Sequence, residues 1–338
     1  MTLFTSDFDY HLPKAAIAQE AIEPRDAARL LVASTLDDLT FTDLPSLLDP
    51  GDVIVVNETR VRAARLRAIK PTGGAVELLL IKRRDAATWE TLVRPARRIR
   101  KGQTMVVGPL SVTVLTEPDR GVVVVEISGD SDVDDLLPTI GEVPLPPYFH
   151  GRLDDDERYQ TMFSKTVGSA AAPTAALHFT SKVVASLADR EVQIVRVDLE
   201  VGLDTFRPMN DGPIERHRMH RERYRVPEAT ATSIADARER GNRVVAIGTT
   251  VVRTLESATN EHGGIRPGLG ESGLFVKPGY AFRAVDAVVT NFHAPRTTLL
   301  VLIAAVLGER WRVVYEHALA SGYRFLSFGD AMFLEVPR

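Results

Sequence analysis

Five short segments carry side chains whose types and spacing could do chemistry. In "AIGTTVVRTLES", Gly248, Thr249 and Thr250 stand where an apolar strand gives way to a helix carrying Arg253 and Glu256. Such a turn offers backbone N–H groups and hydroxyls to an anion or a nucleotide sugar; a threonine there can equally cap the helix. "TNFHAP" (290–295) puts Asn291 and His293 just past another apolar strand, the edge on which open α/β sheets bind ligands. The alternative for His293 is a loop histidine bonded to backbone. "AAPTAALHFT" (171–180) sets Pro173, Thr174 and His178 in a small-residue loop leading into a helix, whose start would depress the His178 pKa and keep its imidazole neutral. Close packing of the loop is the competing explanation. Glu200 and Asp204 in "EVGLDTFRP", and His220 and Glu222 in "HRMHRERY", could supply a general base, or Glu222 could pair with its neighbouring arginines. No metal is expected, because no spacing resembles a zinc motif such as H-E-x-x-H. A Walker loop and a G-x-S-x-G elbow are also missing.

Charge narrows the partners. Lys and Arg number 41 against 45 Asp and Glu, a net charge of −4, so nucleic acid would have to be held by a local patch. Three basic runs offer one. The first is Arg94, Arg97, Arg98, Arg100 and Lys101; the second is Arg60, Arg62, Arg65, Arg67 and Lys70. The third lies between Arg216 and Arg225 and includes Arg221 and Arg223. Each could also be an ordinary solvated face. Acid is segregated into "GDSDVDD" (129–135) and "LDDDE" (153–157). The chain has no cysteine, which excludes disulfides, thiolate metal sites and cysteine nucleophiles and suits a reducing cytoplasm. Its longest apolar run, 299–307, is nine residues against the ~20 of a membrane span, and the first residues do not read as a secretory leader.

The elements that must position these groups change character along the chain. "LPKAAIAQE" reads as a short helix behind Pro13, and "DVIVVN" (52–57) as a strand. From 61 to 127 short β-rich runs recur ("AVELLLI", "TWETLV", "TMVV", "SVTVL", "GVVVVEI"), the spacing of a small barrel or sandwich. After the proline-rich 143–149, strands "VQIVRVDLEV", "RVVAIG" and "AVDAVVTNF" alternate with helices starting after Thr180, Pro227, Gly248 and Thr297. The expected fold is α/β: a larger mixed α/β domain (1–60 and 148–338) with an inserted small β-barrel domain (61–147).

The ordered stretches "FDYHLP", "PGDVIVVNETRV", "GEVPLPPY", "DERYQT", "AAPTAALHF", "VGLDTFRP", "RVVAIGTTVVRTLES", "VTNFHAP" and "GYRFLSFGDAMF" make the chain resemble, along nearly its whole length, the S-adenosylmethionine:tRNA ribosyltransferase-isomerases of queuosine biosynthesis. The resemblance implies an enzyme that spends S-adenosylmethionine as a ribosyl donor. Its acceptor would be the aminomethyl group of 7-aminomethyl-7-deazaguanine at the tRNA wobble position, and its products epoxyqueuosine-tRNA, adenine and methionine. The sulfonium acidifies the C5′ hydrogens, so a positioned base could form an ylide, and no metal is needed. The resemblance implies Asn57, Thr59 and Arg60 on the hinge side of an interdomain cleft. Pro173, Thr174, His178, Gly248, Thr249, Thr250, Arg253, Asn291 and His293 would line the other side. His178, Glu222 or His293 would transfer protons. Arg94, Arg97, Arg98, Arg100, Lys101, Arg221 and Arg223 would hold the anticodon stem-loop through phosphates. The enzyme would be a cytoplasmic monomer.

The chain also departs from the family pattern. Ala176, Glu200, Asp204, Val251, Arg221, Ala294 and Phe328 replace the usual glycine, histidine, glycine, serine, serine, leucine and tyrosine. Ala176 would narrow a ligand loop, and the two carboxylates would favour a cationic ligand over phosphate. Three rivals stay open: the same pentosyl transfer to another acceptor, a catalytically silent tRNA-binding protein, and an ordinary methyltransferase.

Overall fold

The computed structural model describes residues 2–150, 153, 155–202 and 208–337. The chain divides into two compact units, one of Met1–Arg60 with Pro146–Arg338 and one of Val61–Leu145. In chain order the strands begin with β1 (Arg29–Val32), β2 (Asp37–Thr40), β3 (Val53–Asn57) and β4 (Thr59–Val61). The smaller unit follows with β5 (Arg65–Ile69), β6 (Ala75–Arg83), β7 (Thr88–Arg94), β8 (Thr104–Val107), β9 (Leu110–Val114), β10 (Val122–Ser128) and helix α1 (Val133–Ile140). The return adds β11 (Thr166–Ser169), α2 (Ser181–Asp189), β12 (Gln193–Leu199), β13 (Glu222–Val226), α3 (Glu228–Glu239), β14 (Val244–Ile247) and α4 (Thr249–Ala258). It closes with β15 (Gly268–Ser272), β16 (Ala287–Asn291), α5 (Thr298–Leu307), α6 (Arg310–Ala320) and β17 (Ala331–Glu335).

The larger unit is built on a nine-stranded sheet of order β15-β13-β12-β3-β14-β16-β17-β1-β2. Its centre, β12-β3-β14-β16, is parallel, with Val55 opposite both Val195 and Ala246. β17 then runs antiparallel to β16 and parallel to β1. A parallel centre covered on both faces requires continuous apolar strands rather than alternating ones. "VIVVN", "VVAI" and "AVVTN" meet that demand and are buried at every position. On one face Val53, Val55, Val244 and Ala246 pack with Val252 and Leu255 of α4 and Leu300 and Ile303 of α5. On the other, Ile54, Val56, Val245 and Ile247 pack with Val183 and Leu187 of α2 and with Phe41.

The smaller unit holds a closed antiparallel barrel, β10-β7-β6-β5-β8-β9, with alternate residues such as Trp89, Val93, Met105, Val112 and Val125 turned inward. Its sixth strand, β5, lies in what reads in sequence as a basic run. Leu66 and Ala68 face the core, while Arg65 and Arg67 face outward and pair with Glu77 (4.0 Å) and Glu142 (2.7 Å). The acidic stretch carries an element as well. Asp132 caps α1 by accepting from the Asp134 amide at 2.9 Å, and Arg83 binds both aspartates at 2.7 Å. The helix expected behind Pro13 shrinks to one 3₁₀ turn, Lys14–Ala16, because Ile17 and Ala18 bridge instead to Phe325.

Where β3 ends, Asn57 substitutes for the sheet ladder. Its Nδ2 donates to the Leu199 carbonyl at 3.1 Å, and its Oδ1 accepts from the amides of Leu199 (3.0 Å) and Thr59 (3.1 Å). Asn57→Ala strands three buried backbone groups and should cost about 2–4 kcal/mol of unfolding free energy. Urea denaturation checks this; a loss within experimental error would mean the amide is not what holds β3 to β12.

Candidate active site

The central strands end in a pocket within the larger unit, at the carboxyl ends of β14 and β16. Gly248 begins one wall. Its φ of +89° and its amide bond to Val289 (2.7 Å) turn the chain sharply from β14 into α4. Gly248 is itself the helix cap position, so Thr249 and Thr250 are first-turn residues. The Gly248 carbonyl accepts from the amides of Val251 (3.1 Å) and Val252 (3.3 Å). The Thr249 and Thr250 amides find no acceptor among the described residues. Thr250, also on the pocket wall, has a buried hydroxyl with no described partner. An orphan of this kind costs about 1–3 kcal/mol, so it requires a reason.

Asn291 and Thr174 form the opposite wall. Asn291 Oδ1 accepts from Thr174 Oγ1 at 2.8 Å, and its Nδ2 lies 3.2 Å from His178 Nε2. His178 is thus behind Asn291, facing a second, smaller cavity beside Arg25 and Phe328, and it does not line the main pocket. A hydrogen bond to the Arg25 backbone engages the ring as well. The imidazole works as an acceptor that fixes which way the Asn291 amide points. Its pKa falls to about 4, as the sequence led one to expect in direction, but burial is the first cause and the Arg324 charge the second.

His293 does reach the pocket wall. Its Nε2 is 3.1 Å from Thr290 Oγ1, its amide donates to the Tyr315 hydroxyl (3.0 Å), and its carbonyl accepts from Tyr10 (2.6 Å). Burial lowers its pKa to about 3. Glu222 sits elsewhere: it is ion-paired to Arg253 and accepts from the Gly202 amide at 2.9 Å. Arg253 spends further donors on the carbonyls of Leu274 (3.3 Å) and Ser272 (3.5 Å). The pair is less than a tenth exposed and ties β13, β15 and α4 together. Its members are absent from the pocket lining.

Pro173, Thr174, Gly248, Thr249, Thr250, Asn291 and His293 therefore meet around one space, while Asn57, Thr59, Arg60, His178, Glu222 and Arg253 are not on its wall. Arg60 binds Glu157 and Ser164 (3.2 Å). Thr290, Ser327 and Tyr148 also line it, and of these Thr290 and Ser327 were not singled out as ligand-binding groups. Tyr148 hydrogen-bonds Ser327, and burial pushes its phenol up to about 12. "VTNFHAP" and "FLSFGDAMF" did carry two of these hydroxyls in plain sight.

Three of the seven departures from the family pattern fall in packing. Ala176 and Val251 are fully buried in the two core layers, and Phe328 packs against Phe149 and Tyr159. Ala294 lines the pocket, Arg221 is 3.5 Å from Glu271, Glu200 is exposed beside Gly168, and Asp204 lies outside the described residues. The basic runs separate by partner. Arg62, Arg65 and Arg67 are paired to Asp134, Glu77 and Glu142. Arg94, Arg97, Arg98, Arg100 and Lys101 are exposed on the β7–β8 connection and have no ion pair among the described residues. Arg223 is exposed on β13.

An open α/β sheet with a pocket of neutral polar groups at its strand ends, carrying an inserted closed barrel, defines the architectural class. A family model described as queuosine biosynthesis protein matches residues 5–334. The chain is 48% identical over 337 residues to the S-adenosylmethionine:tRNA ribosyltransferase-isomerase of Symbiobacterium thermophilum, covering 97% of this chain and 99% of that one. It is 47% identical to the protein of that name from Moorella thermoacetica, covering 97% and 98%. A crystal structure of S-adenosylmethionine tRNA ribosyltransferase from Thermotoga maritima matches with a TM-score of 0.55 at 35% identity, covering 97% of this chain and 99% of that one. The chain belongs to the queuosine biosynthesis protein family and, like these relatives, is an enzyme.

The depressed histidines link stability to pH. A histidine that stays neutral in the fold but ionises near 6.5 when unfolded contributes stability that is full above 6.5 and lost as pH falls toward its folded pKa. For His178 the window is 6.5 down to about 4. Asp198, raised to about 6 by burial and by Glu200 and Glu58, acts in the opposite sense, so the comparison must be with a variant. His178→Gln should melt lower than wild type at pH 7.5 and lose less on acidification to pH 4.5, a difference read by calorimetry. Parallel melting curves would contradict the buried neutral imidazole.

Proposed function

We propose that the protein transfers and isomerises the ribosyl moiety of S-adenosylmethionine onto the aminomethyl group of 7-aminomethyl-7-deazaguanine at the wobble position of tRNA. The products are epoxyqueuosine-tRNA, adenine and methionine. Full-length similarity to relatives named S-adenosylmethionine:tRNA ribosyltransferase-isomerase supports the donor, the tRNA and the transfer. The pocket supports it: the Gly248 turn, Thr249, Thr250, Thr174 and Asn291 offer neutral donors and acceptors suited to a nucleoside and an amino acid arm. The sulfonium of the donor supplies acidity at the adjacent carbon. His293, the imidazole on the pocket wall, is the group that would accept a proton there, with Thr290 orienting its Nε2. His178 would act through Asn291, and Glu222 through Arg253, as positioning residues. The unpaired cations of the β7–β8 connection would take tRNA phosphates, joined by Arg221 and Arg223.

Incubating the protein with S-adenosylmethionine and tRNA bearing the aminomethyl deazaguanine should release adenine and methionine and yield the modified nucleoside, all read by mass spectrometry. Adenine and methionine without modified tRNA would move the acceptor elsewhere. No turnover with tight tRNA binding would favour the silent binding protein. Replacing Arg97, Arg98 and Arg100 by alanine should weaken tRNA binding and reduce the slope of log affinity against log salt by roughly 1 per lost phosphate contact. S-adenosylmethionine affinity should not change. An unaltered salt slope would remove these arginines from the interface.

A further inference from the structure

Helix α4 is ten residues long, enough for its peptide dipoles to leave a partial positive charge at the end that faces the pocket. Three observations converge there. The Thr249 and Thr250 amides have no acceptor among the described residues. The cap position is a glycine, so no side chain covers those amides, and its φ of +89° disfavours any residue that would. The Thr250 hydroxyl, on a residue 7% exposed, has no described partner, whereas those of Thr174, Thr290, Thr297 and Ser327 are taken by Asn291, His293, the Ala294 carbonyl and Tyr148.

From these we infer that the first turn of α4, with the Thr250 hydroxyl as a third donor, is the seat of a carboxylate, namely the α-carboxylate of the methionyl arm of S-adenosylmethionine. The assignment rests on the proposed use of that donor. No Asp, Glu, Lys or Arg lines the pocket among the described residues, so the helix end is the positive element there. A carboxylate is attracted to it and a sulfonium repelled, so a molecule carrying both charges has one favoured direction in the pocket. That direction sends the sulfonium and its acidic carbon away from α4, toward the walls formed by Asn291 and His293. The hydroxyl left without a partner in the protein then acquires one in the ligand.

The test compares S-adenosylmethionine with its decarboxylated analogue, which keeps the nucleoside, the sulfonium and the amine. Affinities are measured by calorimetry on the full chain, with and without an anticodon stem-loop, for wild type, Thr250→Val and Thr250→Ser. Loss of one charge-assisted hydrogen bond should weaken S-adenosylmethionine binding to Thr250→Val about tenfold or more. Binding of the decarboxylated analogue should stay unchanged, and Thr250→Ser should restore the wild-type preference. Removing an orphan hydroxyl should not lower the melting temperature of the unliganded protein, and if the valine variant fails to fold, Thr250→Ala takes its place. An equal loss for both compounds would assign the hydroxyl to the nucleoside and overturn the inference while leaving the donor in the pocket. If wild type binds neither compound under either condition, the donor reading fails and this inference with it.

Discussion

The side-chain amide of Asn291 is the constraint on which the pocket depends. It sits at the last residue of β16, 2% exposed, and its hydrogen bonds lead to two other segments, the turn at 174–178 and the chain at 329–330. Its oxygen holds Thr174, its nitrogen faces His178, and the carbonyls of Gly329 (3.4 Å) and Asp330 (3.3 Å) lie beside that nitrogen ahead of β17. An amide can satisfy these partners in one orientation only, oxygen toward the hydroxyl and nitrogen toward the acceptors. That requirement explains the neutral His178 behind it. A protonated ring would present a second donor to the Asn291 nitrogen and force the amide to turn, carrying Thr174 with it. Burying the histidine keeps it an acceptor, so its packing with the rest of the 3₁₀ turn at Thr174–His178 against Phe41 and Phe179 protects the geometry of a wall that His178 does not itself line.

Charge is distributed by a similar logic. Two buried carboxylates are matched by arginines: Glu222 and Arg253 neutralise each other, and Asp52 takes Arg243 through its backbone amide (2.8 Å) and guanidinium (2.7 and 2.9 Å). Such pairs fix strand ends but are costly to break, so they are poorly suited to pick up and release a substrate. Much of the basic surface is matched too, since Arg62, Arg65, Arg67 and Arg83 all serve carboxylates of the smaller unit. The five cations at the end of β7 and on the β7–β8 connection stand apart: that connection is a turn with Ile99 as its buried anchor, and none of the five has an ion pair among the described residues. Counting arginines in a sequence cannot make that distinction. Knowing which ones face an acid can.

The parts legible in the sequence were those whose signal is local. Fully buried parallel strands must be continuous β-branched runs, and β3, β14 and β16 are; helices α2 to α5 carry a capping threonine, a proline or a glycine turn at their starts. Two of the strands that escaped notice carry charge for tertiary reasons. β5 reads as a basic run because its outward residues find acids on β6 and near Glu142, and β13 does because Glu222 reaches Arg253 across 31 residues of sequence. The site divides in the same way. Polar residues at strand ends and strand-to-helix turns were found, because topology alone puts them on the ligand edge. Which of them faces the space was not, since His178 and His293 have similar sequence surroundings and differ only in which side of Asn291 they occupy.

A pocket without charged side chains among its described residues is a consistent solution to the substrate problem proposed here. A lysine or aspartate at its wall would need desolvation and a partner, and would attract one end of a molecule bearing a carboxylate and a sulfonium while repelling the other. Fixed dipoles avoid both difficulties. The α4 end, the threonine hydroxyls, the Asn291 amide and a neutral His293 are already oriented by the sheet, so they need not reorganise when charge moves in the ligand. The depressed pKa of His293 follows from the same dryness: the environment that holds it near 3 is the one in which a ligand's charges are felt most strongly. An entering carboxylate raises that pKa and an entering sulfonium lowers it. The order in which the two charges stand along the pocket therefore sets the basicity of the one imidazole on its wall.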